Sequence, residues 1–390
     1  MDDKDQDAIH VFCWNDSRRV AGCLRVFWKD HDKAAGVAQI GRVVTLEHGK
    51  GIGGQMLHEG VRIAVEQLKA KKIYLEAVEF TSRAERKADP VTDMREYGTH
   101  NQPKGTWSDD SSMMIATLDS IILRGGIYYD DIMEKFEKWR LHGDYTPHGD
   151  VFDVGITCSK AISRYQQGIN PKECGGKGEN DNGNGSIMRI MPVSLYAGLD
   201  EDFWKEAYFE DVVDDVQGAS CLTHGHPRSQ MACMIYTSIC HELIYRGEAP
   251  ALQVLQYAVD RTLEYYSKVW EAQYWFNEDF AKEIKADNFR RLRDLSEFKN
   301  LPESEISSGG YVLHTLEASI WCLLNSDSYS ECVLKAVNLG DDTDTTGAVA
   351  GGLAGLCYGY DNIPKEWIDV IESRGWIEKL CDDFAYIMDV

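Results

Sequence analysis

Near its carboxyl end the chain reads Gly340-Asp341-Asp342-Thr343-Asp344-Thr345-Thr346-Gly347, and a segment rich in small residues, 348–355, follows. Three acidic side chains within four residues repel one another unless a cation or strong hydrogen-bond donors neutralise them. Carboxylate and hydroxyl oxygens are hard ligands, which suit magnesium, manganese or calcium better than zinc. The pattern therefore predicts a cation site next to a helix.

Two other interpretations of this segment can be weighed. An EF-hand loop needs a bidentate Glu at its twelfth position, and counting from Asp342 that position holds Leu353, so an EF-hand is excluded. Asp and Thr also cap the N-termini of helices. One capping residue explains one of the acids, however, and leaves the others unexplained.

A second oxygen-rich segment, Gly105-Thr106-Trp107-Ser108-Asp109-Asp110-Ser111-Ser112, precedes a stretch with helical apolar spacing at 113–123. It places hydroxyls and paired carboxylates at a predicted helix start, where the helix dipole favours anions. Taken alone, capping explains this segment as well as metal binding does. If the two helices lie side by side, both acidic segments can close around one or two cations.

Two polar segments lie between the acidic ones. Residues 174–186 are rich in glycine and asparagine, which tolerate unusual backbone angles, so their N–H groups could converge on a phosphate. A plain surface loop is the alternative. Thr223-His224-Gly225-His226-Pro227 stands just before a predicted helix. We interpret its histidines as capping or hydrogen-bonding groups, because the acidic segments already supply harder ligands.

Composition limits the class of protein. A chain of 390 residues exceeds one ordinary core, which predicts two domains or one large and one small. The net charge of −23 argues against a nucleic-acid partner, and the sequence contains no apolar run long enough for a membrane span. Eleven scattered cysteines without a Cys-x-x-Cys pair indicate reduced thiols, and the acidic start does not resemble a secretory signal. We therefore expect a cytoplasmic protein.

Periodicity divides the chain into two parts. The first part alternates like strands at 8–14, 20–28, 39–45 and 73–78, with a helical stretch at 56–68, in the order β-β-β-α-β. From about residue 80 onward the apolar spacing is helical. The helices predicted there are 113–123, 151–165, 228–245, 251–269, 311–324 and 348–358.

Together the segments of the second part resemble the ADP-ribosylglycohydrolase family over residues 77–390. The C-terminal segment Asn338-Leu339 through Gly347, with Ile363-Pro364-Lys365-Glu366-Trp367 after it, is similar to the family's signature, and 105–113 is similar to its early metal motif. The motifs between them follow in the family's order: Phe152-Asp153-Val154-Gly155, Asn184-Gly185-Ser186-Ile187-Met188-Arg189, Leu222-Thr223-His224 and Gly310-Tyr311-Val312.

The resemblance implies a mainly α protein, with an orthogonal all-α bundle that holds two magnesium or manganese ions. The implied metal ligands are Ser108, Asp109, Asp110, Asp342, Asp344 and Thr345. The implied substrate-binding residues are Asp153, Gly155, Asn184, Gly185, Ser186, Met188, His224 and Tyr311. Glu79, Asp109 and Asp344 would be catalytic, in a hydrolysis at the anomeric carbon of the distal ribose.

The sequence departs from the family at its amino end. Members usually carry Gly-Asp a few residues before a Glu-Phe pair, and here Lys71 and Lys72 precede Val78-Glu79-Phe80. The segment before it resembles part of a GNAT acetyltransferase, since Ile40-Gly41-Arg42-Val43-Val44 and Lys50-Gly51-Ile52-Gly53-Gly54-Gln55-Met56-Leu57 look like its central strand, pyrophosphate loop and helix. We expect a partial α/β segment, 1–77, followed by an all-α domain, 78–390.

The leading hypothesis is a metal-dependent hydrolase that removes ADP-ribose from a modified protein, with arginine as the expected linkage, or from a small ADP-ribose derivative. The alternative is a catalytically impaired protein that binds ADP-ribose or a partner, such as an ADP-ribosylating toxin that it occludes. Acetyl-CoA binding by the first segment is a further possibility, beside a structural or partner-binding role. The linkage depends on rim loops such as 95–104 and 143–150.

Overall fold

The computed structural model describes residues 9–14, 20–28, 37–45, 59, 62–64, 66–69, 72–75, 81–200, 202–247, 249–272 and 278–388. The chain divides into two compact units, Met1–Glu79 and Phe80–Val390. Three parts of the sequence predictions lie outside the described residues. They are Glu79, Lys71 at one of the two Gly-Asp positions, and the segment 50–57 that resembles a pyrophosphate loop and helix.

The first unit contains a four-stranded sheet in the order β1-β2-β3-β4. Its strands are Ile9–Trp14 (β1), Val20–Trp28 (β2), Val37–Thr45 (β3) and Lys72–Leu75 (β4). The first three strands pair antiparallel, and β3 pairs with β4 in parallel. The predicted hairpin and the third strand are therefore confirmed. A parallel pair needs a crossover connection, and residues 62–64 between these strands are helical.

The second unit is helical over most of its length. Its α-helices are Arg83–Ala88 (α1), Asp109–Arg124 (α2), Tyr129–His142 (α3), Ile156–Gln166 (α4), Pro171–Cys174 (α5), Met191–Gly198 (α6), Glu206–Cys221 (α7), Pro227–Arg246 (α8), Ala251–Ala272 (α9), Glu278–Ala286 (α10), Leu295–Lys299 (α11), Val312–Leu324 (α12), Tyr329–Asn338 (α13), Thr343–Tyr358 (α14), Lys365–Ile368 (α15) and Arg374–Met388 (α16). Short 3₁₀ helices occupy Glu179–Asp181, Ile187–Arg189, Arg290–Leu292, Glu303–Glu305 and Tyr360–Asn362. This unit is the predicted mainly α fold.

Helix α8 is the centre of this unit. Every residue from Ser229 to Leu243 is buried, as expected of a helix that packs on all faces. Helices α6, α7, α9, α12 and α14 contact it. Its polar side chains are bonded internally, because Thr237 Oγ1 lies 2.7 Å from Ser194 Oγ and Ser238 Oγ accepts from Thr262 Oγ1 at 2.7 Å.

The small residues of α14 allow it to pack closely. A Cβ added at Gly352 would come within 2.6 Å of Tyr236 Oη on α8. Helix α14 also contacts α2, so the two helices that begin with acidic segments are neighbours. The fold therefore meets the condition under which both acidic segments can form one site. No helix among the described residues is long and apolar enough to cross a membrane.

Candidate active site

Both acidic segments sit at helix starts, and their side chains do not act as caps. Ser108 is the N-cap residue of α2 and Asp342 that of α14, yet within the described part of the chain neither makes a side-chain capping hydrogen bond. Ser108 Oγ instead donates to Asp110 Oδ2 at 2.7 Å. The capping alternative therefore fails for these two residues, and their oxygens face the other polar groups of the site.

The backbone before α14 is held in an unusual conformation. Gly340 has φ +82°, and a Cβ there would lie 2.3 Å from the backbone nitrogen of Arg83, so only glycine fits. Asp341 follows with φ +60°, and its N–H donates to the carbonyl of Thr81 at 2.9 Å. The Arg83 guanidinium donates to the carbonyls of Leu339 at 2.8 Å, Glu303 at 2.6 Å and Ile306. These contacts fix the direction in which the acidic segment enters its helix.

Asp342 is fixed by two other loops. Its N–H donates to the carbonyl of Ser308 at 3.0 Å, and its Oδ2 accepts from Asn184 Nδ2 at 2.9 Å. Asn184 also donates to Thr315 Oγ1 at 3.0 Å. Gly310 lies against the carboxylate, because a Cβ there would come within 2.8 Å of Asp342 Oδ2. The glycine-rich loop predicted to bind substrate thus also orients an acidic side chain.

Asp109 and Asp110 are the most buried carboxylates of the site, at 8% and 3% exposure. Asp109 Oδ2 accepts from the backbone N–H of Gly155 at 3.3 Å. Asp110 Oδ1 is buried and has no hydrogen-bond partner among the residues that the structure describes. A buried carboxylate oxygen without a partner is costly, so this atom points to a ligand that supplies positive charge.

The segment before α2 is fixed by packing. Gly105 has φ +87°, and a Cβ there would lie 1.7 Å from the carbonyl oxygen of Val370. Trp107 Nε1 donates to the carbonyl of Tyr145 at 3.0 Å. The tight contact at Gly105 and the anchored indole position Ser108 and the two aspartates that follow.

A histidine outside the predicted site belongs to this cluster. His100 Nε2 lies 3.5 Å from Asp153 Oδ2 and 3.7 Å from Asp344 Oδ2, and its ring packs on Phe152 with 5.4 Å between the ring centres. The sequence offers no motif that marks His100. Asp153 is a predicted substrate-binding residue and Asp344 a predicted metal ligand, so His100 connects the two sets.

The electrostatics of the cluster follow from burial and crowding. Burial, with the charges of Asp153 and Asp344, raises the pKa of Asp109 to about 7. Burial and the charge of Asp344 raise the pKa of Asp342 to about 7 and that of Asp110 well above its usual range. Burial also opposes ionisation of Asp344, but hydrogen bonds from His100 and Asp342 hold its pKa below the usual value. Protons or a cation must therefore neutralise part of this site at neutral pH.

The remaining predicted substrate residues lie in the glycine-rich loop or pack close to it. Ser186, Met188 and His224 are buried, and a Cβ at Gly185 would lie 2.8 Å from His224 Cε1. Burial lowers the pKa of His224 to about 3, so its ring is neutral. These residues pack in or against the loop, and their predicted contact with substrate stays a prediction. Tyr311, just before α12, is half-buried and lies 5.9 Å from the Arg228 guanidinium.

A second group of side chains resembles a metal site but is explained by hydrogen bonds. Ligand atoms of Glu179, His226 and Glu283 lie within 4.8 Å of one another. His226 Nδ1 accepts from the N–H of Arg228 at 3.2 Å, as the N-cap of α8, so in the neutral ring Nε2 carries the proton and faces Glu179. Arg228 bonds both glutamates. The prediction that these histidines cap or hydrogen-bond is confirmed for His226.

A cavity lies beside that group rather than at the acidic cluster. It has a volume of about 670 Å³ and is bordered by Lys177, Glu179, His226 and Glu283. Tyr265 and Tyr266 also line it. None of the acidic residues of α2 or α14 contributes to its wall. We place the chemistry at the acidic cluster, because cavity size alone does not supply reactive groups.

The chain was compared with known families and proteins. A model of the ADP-ribosylglycohydrolase family matches residues 76–389. An ADP-ribosylarginine hydrolase, Tri1, of Serratia proteamaculans is 29% identical over 76% of this chain and 72% of its own. An ADP-ribosyl-[dinitrogen reductase] glycohydrolase of Rhodospirillum rubrum is 26% identical over 72% of this chain and 81% of its own.

A solved structure described as an ADP-ribosylglycohydrolase-related protein complex superposes with a TM-score of 0.56. It is 26% identical and aligns over 77% of this chain and 88% of its own. The comparisons agree with the resemblance carried by the motifs between residues 105 and 367. They give no support to the predicted acetyltransferase likeness of the first segment.

Proposed function

This chain belongs to the ADP-ribosylglycohydrolase family and is an ADP-ribosylglycohydrolase, and we propose that its substrate is a protein carrying ADP-ribose on an arginine side chain. Support for arginine comes from the relative in Serratia proteamaculans, which is named for that linkage. A relative named for a modified protein, dinitrogen reductase, supports a protein substrate over a small one.

We further propose that the reaction depends on magnesium or manganese, with two ions held between α2 and α14. The ligands would be Ser108, Asp109, Asp110, Asp342, Asp344 and Thr345. The observation that carries this proposal is Asp110 Oδ1, which is buried without a hydrogen-bond partner in the described part of the chain. The donor set consists of carboxylates and hydroxyls, which fits a hard divalent cation.

Magnesium or manganese held by these ligands would supply positive charge that orients the ribose hydroxyls and lowers the pKa of a water. Asp109 or Asp344 would accept the one proton that the attacking water gives up, and both carboxylates would stabilise the positive charge that develops at the anomeric carbon. The bond between this carbon and the guanidino nitrogen breaks, the water oxygen takes its place, and a proton leaves with the nitrogen. Asn184 and the N–H of Gly155 keep Asp342 and Asp109 oriented.

Three predictions from the sequence extend this proposal. Glu79 would close over the substrate as a further carboxylate. The first unit would bind a partner, such as an ADP-ribosylating toxin, or acetyl-CoA. Titration of the purified protein with acetyl-CoA in a calorimeter measures the last of these directly, and heat that saturates at one equivalent would support it.

A panel of linkages tests the proposed substrate. Release of free ADP-ribose is measured from a protein modified on arginine, from a peptide modified on serine and from O-acetyl-ADP-ribose, with manganese or magnesium present. We expect release from the arginine-linked protein to exceed the others by at least about 100-fold, which is well within the roughly 10⁴-fold discrimination that buried polar contacts can supply. Preference for serine or the O-acetyl compound would contradict the proposed linkage. Absence of release from all three, with ADP-ribose still bound, would favour the binding-protein alternative.

A further inference from the structure

The geometry points to His100 as a nitrogen ligand of the proposed metal cluster, coordinating together with Asp153 and Asp344. This inference rests on the proposed metal dependence and goes beyond the ligand set that the motifs imply, which contains only oxygen donors. Imidazole suits transition-metal cations, whereas magnesium prefers oxygen donors and water. The chain should therefore select manganese over magnesium.

The distances suit ligands that share one cation and are long for a hydrogen bond. The ligand atoms of His100, Asp153 and Asp344 all lie within 4.8 Å of one another. Metal–ligand bonds of about 2.1 Å place neighbouring ligand atoms roughly 3–4 Å apart. His100 Nε2 lies 3.5 Å and 3.7 Å from its two carboxylate oxygens, where a charge-assisted hydrogen bond would be about 2.7–2.9 Å. A small inward movement of three side chains would complete a shared coordination sphere.

The loop that carries His100 is unusually constrained. Tyr97 and Asn101 both have φ +51°, a region that non-glycine residues rarely adopt. The Tyr97 N–H donates to the carbonyl of Gln102 at 2.7 Å, and the Asn101 N–H donates to that of Gly98 at 2.9 Å. Such backbone strain persists where the surroundings enforce it, often at functional sites. Here the strained loop places the imidazole beside Asp153 and Asp344.

Asp110 supplies an independent observation that a cation belongs here. It is 3% exposed, and its Oδ1 has no hydrogen-bond partner among the described residues. Helix α2, which carries Asp110 in its first turn, contacts α14, which carries Asp344 in its first turn. Asp344 thus lies on a helix that neighbours the oxygen ligands of α2, and its Oδ2 is 3.7 Å from the imidazole of His100. A cation bound at Asp344 can reach both groups.

A competing explanation is that protonated His100 serves only as a counter-ion for the two carboxylates. Its pKa is raised through the hydrogen bond to Asp344, which this explanation also requires. The two explanations differ in what manganese should contact. If His100 is only a counter-ion, the metal displaces it or it stays protonated, and in neither state does its nitrogen coordinate manganese. If His100 is instead a ligand, its coordinating nitrogen nucleus couples to the electron spin of the bound manganese.

Pulsed electron paramagnetic resonance of the manganese-loaded full chain separates these explanations. We expect modulation from a directly bound ¹⁴N nucleus in the wild type, and replacement of that signal by ¹⁵N when the protein is grown with ¹⁵N-histidine. His100→Gln should remove the signal, whereas His142→Gln, a matched change at the exposed end of α3, should leave it. Labelled wild type makes the test independent of whether a variant folds.

Metal affinity gives a second measure on the same proteins. Calorimetry should show manganese binding more tightly than magnesium in the wild type, and His100→Gln should weaken manganese binding by at least about tenfold, the scale for losing one side chain at a metal centre. Manganese that binds without nitrogen coupling would overturn the role of His100 and leave the metal proposal intact. A protein that binds no manganese would overturn both.

Discussion

Single carboxylates of the site differ in what holds them. Asp342 is oriented by the side chain of Asn184, which also donates a hydrogen bond to Thr315. Asp109 instead accepts a hydrogen bond from the backbone N–H of Gly155. Asp110 has its Oδ2 bonded to Ser108 and its Oδ1 without a partner in the described part of the chain. A side chain that acts through another one can be removed without touching the reacting groups, which makes Asn184 a useful probe.

Replacing Asn184 with Ala should loosen Asp342 and weaken manganese binding by about tenfold or more, since residues that orient metal ligands have effects of this size. Asn180→Ala changes an exposed residue of the same loop and should leave the affinity unchanged. Calorimetry on both variants measures the difference. Equal affinities would contradict the orienting role of Asn184.

The raised pKa values of Asp109 and Asp342 predict a pH dependence of stability. A carboxyl whose pKa rises from its unfolded value to about 7 on folding disfavours the folded state once pH exceeds the unfolded value. The penalty grows until pH passes the folded pKa of about 7 and then levels off. The metal-free protein should therefore lose stability between pH 6 and pH 8. Manganese competes with those protons, so it should raise the melting temperature more at pH 8 than at pH 6.

Thermal melts with and without manganese at the two pH values measure this effect. Asp342→Asn removes one of the titrating groups and should reduce the pH dependence of the metal-free melting temperature. Groups far from the cluster titrate equally in both proteins, so the comparison reports on Asp342 together with Asp344, whose pKa depends on it. A manganese effect that is smaller at pH 8 than at pH 6 would contradict the account.

Among the secondary-structure elements, α14 carries both the acidic segment and the closest helix packing. A Cβ added at Gly352 would lie 2.6 Å from Tyr236 Oη and 3.1 Å from Met191 Sδ. A Cβ added at Gly355 would meet nothing within 4 Å. The two glycines thus share a helix and differ in what surrounds them.

Gly352→Ala should destabilise the protein by about 1–3 kcal/mol, because the buried tyrosine has little room to move. Gly355→Ala adds the same methyl group in open space and should stabilise the protein by about 0.5–1 kcal/mol through higher helix propensity. Chemical denaturation of both variants tests this pair. Equal and small effects would mean that α14 does not pack on α8 as described.

The elements also show how far the sequence could predict this fold. Helices with a clean apolar stripe, such as α9 and α12, are predicted within a few residues of their observed ends. Helix α3 was not predicted, because charged residues interrupt its stripe. In the structure Lys135 is buried and pairs with Asp119 at 2.7 Å, a long-range contact that local spacing does not reveal.

The site was predictable where its residues form local patterns. Dense acids at two helix starts identified both acidic segments, and the neighbouring α2 and α14 fulfil the condition for a shared site. His100 and Arg83 were missed, since each acts through residues far away in sequence. Arg83 bonds carbonyls more than 200 positions distant, and its role depends on tertiary structure alone.

At the scale of the whole molecule, the family match and the second unit cover nearly the same residues, 76–389 and Phe80–Val390. That unit contains every described residue of the acidic cluster, whereas Glu79, the further carboxylate that we propose, belongs to the first unit. The helices around α8 form the scaffold, and the acidic cluster lies where α2 and α14 begin. We propose that this cluster hydrolyses the ADP-ribose linkage with a bound metal.

The most direct measurement is the rate at which this chain releases ADP-ribose from an arginine-modified protein. The rate is measured first after a chelator has removed bound metal and again after manganese is added back. Asp344→Asn should lower the rate by at least about 100-fold, the scale of lost acid–base catalysis. Asp341→Asn, the same change at an exposed neighbour whose left-handed backbone suits asparagine, should keep the wild-type rate. The expected result is that manganese restores release by the wild type and not by Asp344→Asn. Release that survives chelation, or equal rates for both variants, would contradict it.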